Sequence, residues 1–123
     1  MKSQILVVDD SAVVRALHTY ILKSEGFEIF QADSGFAALE ILNNHPCHLA
    51  IIDVNMPRMD GFTLIRKIRA NPITQEMPII IVSTQQEAHD HSQGLEVGAN
   101  TYLMKPTEPE NLIDAVRALL GLN

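Results

Sequence analysis

Five short apolar runs alternate with five longer segments along the 123 residues of this chain. The runs predict β-strands at residues 5–8, 27–32, 49–53, 79–83 and 101–105. The first, third and fourth runs are apolar at consecutive positions, which is typical of strands covered on both faces of a parallel sheet. The repeat therefore predicts a doubly wound α/β fold, with the two mixed strands, the second and the fifth, at the edges.

The segments between the strands carry helix-start signals. Ser11, Ser34 and Asp60 are suited to cap the helices that follow them, and a last helix is predicted from about residue 108. A further helix is predicted at about 86–97, although few of its positions are apolar and Gly94 lies inside it. In the first helix we expect one buried stripe, formed by Val13, Val14, Leu17 and Ile21.

Composition narrows the function classes. A net charge of −6 argues against sequence-independent nucleic-acid binding, which needs a basic face. The apolar runs are too short to cross a membrane and no secretory signal precedes the first strand, so we expect a cytoplasmic protein without membrane insertion. The single cysteine, Cys47, lies between His45 and His48, but a fourth zinc ligand is missing, so these residues are interpreted as structural.

Polar residues follow four of the five predicted strands. Because the carboxyl ends of parallel strands meet at one edge of the sheet, we expect these side chains to lie together. Three acids clustered without a cation would repel one another, so the cluster predicts a hard divalent cation, Mg²⁺ or Mn²⁺. The residues are Asp9 and Asp10 after the first strand, Asp53 at the end of the third, Ser83 and Thr84 at the end of the fourth, and Lys105 at the end of the fifth.

This combination of groups suits phosphoryl transfer. A carboxylate can serve as the nucleophile, while cations and a hydroxyl bind the oxygens of the transferred group. Asp53 is the expected nucleophile because it ends the central strand, where the geometry is most fixed.

In its motifs the chain resembles response-regulator receiver domains, particularly the stand-alone chemotaxis receivers. The resemblance is carried by VVDDS (7–11) with Arg15, IIDVNMPRMDG (51–61), PIIIVST (78–84) and GANTYLMKP (98–106). It implies a flavodoxin-like (βα)5 fold with a five-stranded parallel sheet in the order 2-1-3-4-5. It also implies a single receiver domain over residues 1–123, with no effector domain in this chain.

The resemblance assigns roles to the acidic residues and the loop after Asp53. Asp53 is similar to the family's phosphoacceptor. Asp9 and Asp10 resemble the acidic pair that holds Mg²⁺ together with Asp53, and the main-chain carbonyl of Asn55 is implied as a further ligand.

Roles for the remaining site residues also follow from the resemblance. Ser83 matches the switch hydroxyl, Lys105 the lysine that pairs with a phosphoryl oxygen, and Tyr102 an aromatic that turns inward when the hydroxyl moves. The Lys105–Pro106 bond resembles one that is cis in the family. Thr84 stands where the family usually has a small residue directly after the switch hydroxyl. We expect Thr84 to narrow the access of the phosphoryl group to the site or to supply a second hydroxyl.

The function implied is a signalling switch that catalyses only its own phosphorylation and dephosphorylation. Its partners would be a sensor histidine kinase or histidine phosphotransfer protein and an unidentified output protein, in chemotaxis or another pathway. Phosphorylation of Asp53 would change the surface of helix 4, strand 5 and helix 5. The chain would be a monomer, or a dimer on phosphorylation.

Three alternatives stay open from the residues. The first is a relay intermediate that passes the phosphoryl group on. The second is a haloacid-dehalogenase-like phosphatase, although such an enzyme needs a general acid two residues after its nucleophile, where this chain has Asn55. The third is a flavodoxin-like nucleotide-binding module, although Asp9 and Asp10 would repel a phosphate unless a metal intervened.

Overall fold

Five parallel strands form one sheet in the order β2-β1-β3-β4-β5, as predicted. The structure is a computed structural model, and it describes residues 2–84 and 95–122. The strands are β1 (Gln4–Val8), β2 (Glu28–Ala32), β3 (Leu49–Asp53), β4 (Ile79–Ser83) and β5 (Thr101–Met104). The helices are α1 (Ala12–Ser24), α2 (Gly35–Asn44), α3 (Gly61–Ala70), the helical residues 95–97 (α4) and α5 (Pro109–Leu119).

Alternate residues of the central strands bury into two cores, one on each face of the sheet. Helices α2 and α3 cover the face that contains Leu6, Ile52 and Ile81. Helices α1 and α5 cover the opposite face, which contains Val7 and Ile51. Every residue of β3 and β4 is buried, as expected for strands covered on both sides. This packing fixes the carboxyl ends of the central strands.

The predicted helix starts are confirmed. The side-chain oxygens of Ser11, Ser34 and Asp60 each accept a hydrogen bond from the backbone N–H three residues on, at 3.3, 3.1 and 2.8 Å respectively. Helix α5 follows Glu108 without a side-chain cap and has a proline in its first turn. Among the helices that the structure describes, none combines the length and apolarity needed to cross a lipid bilayer.

The stripe predicted for α1 is wrong at two positions. Val13 is 79% exposed and Leu17 is 51% exposed. Ile21 is buried as predicted, and the same helix also buries Leu22 and His18, which sequence reasoning had not placed in the core. The exposed side chains Val13, Leu17 and Tyr20 share one face of α1, whereas the buried residues His18, Ile21 and Leu22 lie on another. An apolar spacing alone does not reveal which face of the helix is turned toward the sheet.

Arg69 of α3 joins three segments of the chain. Its guanidinium donates to the carbonyl oxygen of Gly98 from Nη2 at 2.8 Å and to that of Met77 from Nη1 at 2.7 Å. Gly98 has a φ of +118°, and a Cβ there would lie 2.9 Å from Arg69 Nε. This contact anchors the turn that leads into β5.

Of the helix predicted at about 86–97, only its last residues fall within the described part of the chain, and His89 and His91 lie outside it.

Candidate functional site

The predicted site residues converge on the carboxyl edge of the sheet. Asp9 directly follows β1 and Asp53 is the last residue of β3, its neighbour in the sheet. Ser83 ends β4, and Lys105 follows β5. Because all five strands run in parallel, these chain ends point to the same side of the molecule.

Lys105 bridges two buried carboxylates. Its Nζ lies 2.9 Å from Oδ2 of Asp9 and 3.1 Å from Oδ1 of Asp53. Asp9 is 2% exposed and Asp53 is 4% exposed, whereas Asp10 is exposed at the rim. One lysine therefore faces two buried acids and a third at the surface, which leaves the cluster with an excess of negative charge.

Local contacts hold Asp9 in place. Its Oδ1 accepts a hydrogen bond from the backbone N–H of Ser11 at 2.9 Å, and its main-chain carbonyl accepts one from Nη1 of Arg15 at 2.7 Å. Asp9 is thus fixed from α1 as well as from β1. Sequence reasoning gave Arg15 no role. The only sequence feature that pointed to Arg15 was its place close to the VVDDS motif.

The charge imbalance appears in the pKa of Asp53, which is raised to about 6. Burial is the main cause, and the neighbouring charge of Asp9 adds to it, while Lys105 partly opposes both. Burial lowers the pKa of Lys105, but its hydrogen bonds and ion pairs with Asp9 and Asp53 more than offset this, so that its pKa is raised overall. Lys105 is therefore protonated at neutral pH, whereas keeping Asp53 ionised at that pH lowers the stability of the folded state.

The acidic cluster has the donors that a hard divalent cation prefers. One carboxylate oxygen from each of Asp9, Asp10 and Asp53 can be chosen so that all lie within 4.8 Å of one another. Three clustered carboxylates that share one lysine, with the pKa of Asp53 raised, form an environment that a divalent cation neutralises. These residues fit Mg²⁺. Asn55 lies exposed in the loop after β3, and the role of its carbonyl as a ligand stays a prediction.

The hydroxyl of Ser83 is fully buried and hydrogen-bonded to the hydroxyl of Tyr102. Ser83 and Tyr102 lie on neighbouring strands, and the backbone carbonyl of Ser83 also accepts a hydrogen bond from the N–H of Lys105 at 2.6 Å. The bond between Lys105 and Pro106 is cis, as the resemblance implied. Thr84 is exposed beyond the end of β4. The proposed switch pair is therefore joined directly in this state.

Gly61 fixes the backbone that carries Asp53, a role that sequence reasoning missed. Its N–H donates to the carbonyl of Val54 at 2.8 Å. A Cβ at Gly61 would press on the carbonyl oxygen of Asp53 and would lie 2.8 Å from Cα of Val54. Only a residue without a side chain allows this close approach. The sequence feature that could have indicated this role of Gly61 is the Asp-Gly pair at 60–61.

The histidines near Cys47 have structural contacts, in agreement with the sequence interpretation. Nδ1 of His48 accepts the N–H of Gln4 at 2.9 Å, and the ring of His45 stacks on Phe30 with 4.9 Å between centroids. Within residues 2–84 and 95–122, the acidic trio is the one group of His, Cys, Asp or Glu side chains close enough to share a metal ion.

Replacing Asp53 by asparagine is expected to stabilise the metal-free protein at pH 7. An unfolded aspartate titrates near about 3.9, and the folded pKa is about 6. Between these values the folded state holds a proton that the unfolded state releases, so stability falls as the pH rises through this window. The asparagine variant avoids this loss, which is about 3 kcal/mol for a pKa difference of about two units. Thermal unfolding in EDTA should show a melting temperature raised by about 10 °C at pH 7 and no gain below about pH 4.

The exposed Asp33 provides a matched control, since Asp33→Asn removes a carboxylate that faces solvent. A destabilised Asp53→Asn protein at pH 7, or a gain that is the same at pH 4 and pH 7, would contradict the charge imbalance.

Comparison with known proteins gives consistent matches over most of the chain. The family model described as the response regulator receiver domain matches residues 5–117. Two-component response regulator ORR5 of Oryza sativa subsp. japonica is 37% identical, covering 88% of this chain and 81% of the relative. Transcriptional regulatory protein SrrA of Staphylococcus aureus is 36% identical over 98% of this chain and 48% of the relative. This chain spans about half the length of the transcriptional regulators it matches.

Among solved structures, the chemotaxis protein CheY4 of Vibrio cholerae superimposes with a TM-score of 0.91 and 30% sequence identity. The match covers 97% of this chain and 99% of the CheY4 chain. The likeness therefore extends over the whole sheet and the helices that cover it.

Proposed function

The chain belongs to the response regulator receiver domain family, and from that premise we propose that it is a switch controlled by phosphorylation of Asp53. One observation carries the proposal: the buried carboxylate of Asp53 is held by Lys105 at 3.1 Å inside an acidic cluster at the carboxyl edge of the sheet. A nucleophile, a cation for the phosphoryl oxygens and donors for a divalent metal are thereby in one place.

In the proposed reaction, an ionised carboxylate oxygen of Asp53 attacks phosphorus of a phosphohistidine. The new oxygen–phosphorus bond forms as the phosphorus–nitrogen bond breaks, and the bonding electron pair returns to the imidazole nitrogen of the donor. Lys105 then pairs with a phosphoryl oxygen, in exchange for one of its present carboxylate partners. Mg²⁺ held by Asp9, Asp10, Asp53 and the Asn55 carbonyl would supply positive charge to the phosphoryl oxygens.

The switch proposed for this chain begins at the pair Ser83 and Tyr102. A phosphoryl group on Asp53 offers the Ser83 hydroxyl a charged acceptor, which is stronger than the neutral hydroxyl of Tyr102 that it now meets. Exchange of partners would release Tyr102 and shift the population of conformers on the surface of α4, β5 and α5. This surface is the proposed site for output partners.

The proposed phosphoryl donor is a histidine kinase or a histidine phosphotransfer protein, and the proposed output is the binding of another protein. One relative is named a transcriptional regulatory protein and one structural neighbour a chemotaxis protein, so these names do not select a pathway. A role in chemotaxis, a role as a relay intermediate and dimerisation on phosphorylation are separate proposals within this framework. A phosphatase acting on external esters is disfavoured because Asn55 stands in the place of its general acid.

Intact-mass spectrometry after incubation with acetyl phosphate tests the proposal. We expect the wild type to gain one phosphoryl group in the presence of Mg²⁺ and none in EDTA. Asp53→Asn should gain none under either condition, and Asp33→Asn should behave as the wild type because Asp33 is exposed and outside the cluster. Equal labelling of Asp53→Asn and the wild type would contradict the proposal.

A further inference from the structure

The loop between β3 and α3, residues 54–60, directly follows the proposed phosphoacceptor and carries Asn55. The two ends of this loop are tied together, because the N–H of Gly61 donates to the carbonyl of Val54 at 2.8 Å. Asn55 lies exposed inside the closed loop. The turn that the loop makes before it returns to Gly61 therefore decides where the main-chain carbonyl of Asn55 points.

Arg58 lies at this turn in an unfavourable backbone conformation. The N–H of Met59 donates to the carbonyl of Pro57 at 2.8 Å, which makes residues 57–59 a γ-turn. Arg58 is its central residue and has a φ of +69°, and within residues 2–84 and 95–122 it is the one residue other than glycine with a positive φ. A γ-turn with this sign of φ is the rare and strained form. Such a conformation persists only where the surrounding contacts hold it.

Two consecutive residues in the first turn of α2 make contacts of this kind. Met59 is buried and packs on the backbone of Gly35, where a Cβ would lie 2.5 Å from Sδ of Met59. The guanidinium carbon of Arg58 lies 5.6 Å from the centre of the Phe36 ring, which is within the range of a cation–π interaction. Phe36 is 54% exposed, so burial alone does not account for the placement of its ring. The strained residue and its successor are thus both held from α2.

The arginine side chain contributes something that glycine could not. Glycine adopts a positive φ without strain, so the backbone alone gains nothing from an arginine at position 58. What the arginine adds is a cation over the ring of Phe36, and this contact joins the loop to α2. Neither residue belongs to the acidic trio, so the effect of this contact on the site must pass through the loop.

We propose that Arg58 and Phe36 form a clamp that holds the loop in the conformation in which the carbonyl of Asn55 serves the divalent cation of the acidic trio. Both are positioning residues, and this inference rests on the proposed function. Without the clamp the loop would populate other conformers. The apparent affinity for the cation would then fall in proportion to the fraction of molecules that keep the binding conformation. One exposed cation–π contact corresponds to a change of about three-fold.

The charge of Arg58 provides a test of sign. By Coulomb repulsion alone, removing a positive charge from this surface would strengthen the binding of Mg²⁺. The clamp predicts the opposite, because the loss of the contact with Phe36 loosens the loop. A weaker affinity for Mg²⁺ in a variant without the charge therefore distinguishes the clamp from a simple charge effect.

Titration of the ¹⁵N-labelled full chain with MgCl₂, in the absence of a phosphoryl donor, measures this affinity from the amide resonances around Asn55. We expect the dissociation constant for Mg²⁺ to rise about three-fold in Arg58→Met and in Phe36→Leu, which keeps an apolar side chain but has no aromatic ring. Arg58→Lys keeps a cation and should bind Mg²⁺ as the wild type does. Arg66→Met removes an exposed charge of the same sign from α3 and should not weaken binding. The double variant Arg58→Met/Phe36→Leu should bind no more weakly than either single variant.

An affinity for Mg²⁺ in Arg58→Met and Phe36→Leu that equals or exceeds that of the wild type would overturn the clamp. Effects that multiply in the double variant would also overturn it, because the two residues would then act independently. If the wild type binds Mg²⁺ and is labelled by acetyl phosphate while these variants bind Mg²⁺ normally, only this inference is wrong. A wild type that neither binds Mg²⁺ nor is labelled would contradict the proposed function itself.

Discussion

Replacing Lys105 by methionine is expected to destabilise the metal-free protein by about 3 kcal/mol at pH 7. Methionine keeps an unbranched side chain of similar length but removes the positive charge. Asp9 and Asp53, which Lys105 now bridges at 2.9 and 3.1 Å, would remain buried and face each other without a cation between them. Urea unfolding in EDTA measures the change in the free energy of unfolding.

Lys67→Met is the matched control, because Lys67 is exposed on α3 and is expected to change the stability by less than about 0.5 kcal/mol. In the Lys105→Met background, Asp53→Asn should stabilise the protein clearly more than it does in the wild type, since it removes one of the two carboxylates left without a partner. If Lys105→Met were as stable as the wild type, or if the two substitutions were additive, the ion cluster would not have the energetic role that its geometry indicates.

Replacing Gly61 by alanine is expected to destabilise the protein by about 3 kcal/mol and to impair labelling of Asp53 by acetyl phosphate. The new Cβ would lie against backbone atoms of Asp53 and Val54, which cannot rotate away as the end of a side chain can. To make room, α3 or the end of β3 must move, and Asp53 would move with it. Thermal unfolding and intact-mass spectrometry measure the two effects.

Gly26→Ala separates this steric effect from ordinary glycine strain. Gly26 has a φ of +90° and nothing within 4 Å of an added Cβ, so alanine there should cost only about 1 kcal/mol and leave labelling unchanged. A Gly61→Ala protein that matched Gly26→Ala in stability and labelled normally would contradict the tight contact with β3.

The fold could be read largely from local signals. Consecutive apolar residues identified β1, β3 and β4, and three side-chain oxygens identified helix starts. The buried face of α1 could not be derived this way. Val13 and Leu17 satisfy helical spacing as well as Ile21 does, but the rotation of α1 about its own axis decides which of them is covered. That rotation depends on contacts distant in the sequence.

The candidate site was predictable in position and less so in detail. Residues at the carboxyl ends of parallel strands must be neighbours, which is why Asp9, Asp53 and Lys105 could be grouped from their places after the predicted strands. The bridge from Lys105 to both acids depends on side-chain conformations that sequence spacing does not specify. The same holds for the pairing of Ser83 with Tyr102 and for the burial of His18 beside the cluster.

The position of the phosphoryl group shows most directly whether Asp53 is the phosphoacceptor. After incubation with acetyl phosphate and Mg²⁺, reduction by borohydride converts an aspartyl phosphate to homoserine, which peptide mass spectrometry can locate. We expect homoserine at position 53 and unmodified aspartates at positions 9 and 10. Homoserine at position 9 or 10, or unmodified aspartate at position 53 in a protein whose intact mass shows phosphorylation, would contradict the assignment of Asp53 as the phosphoacceptor.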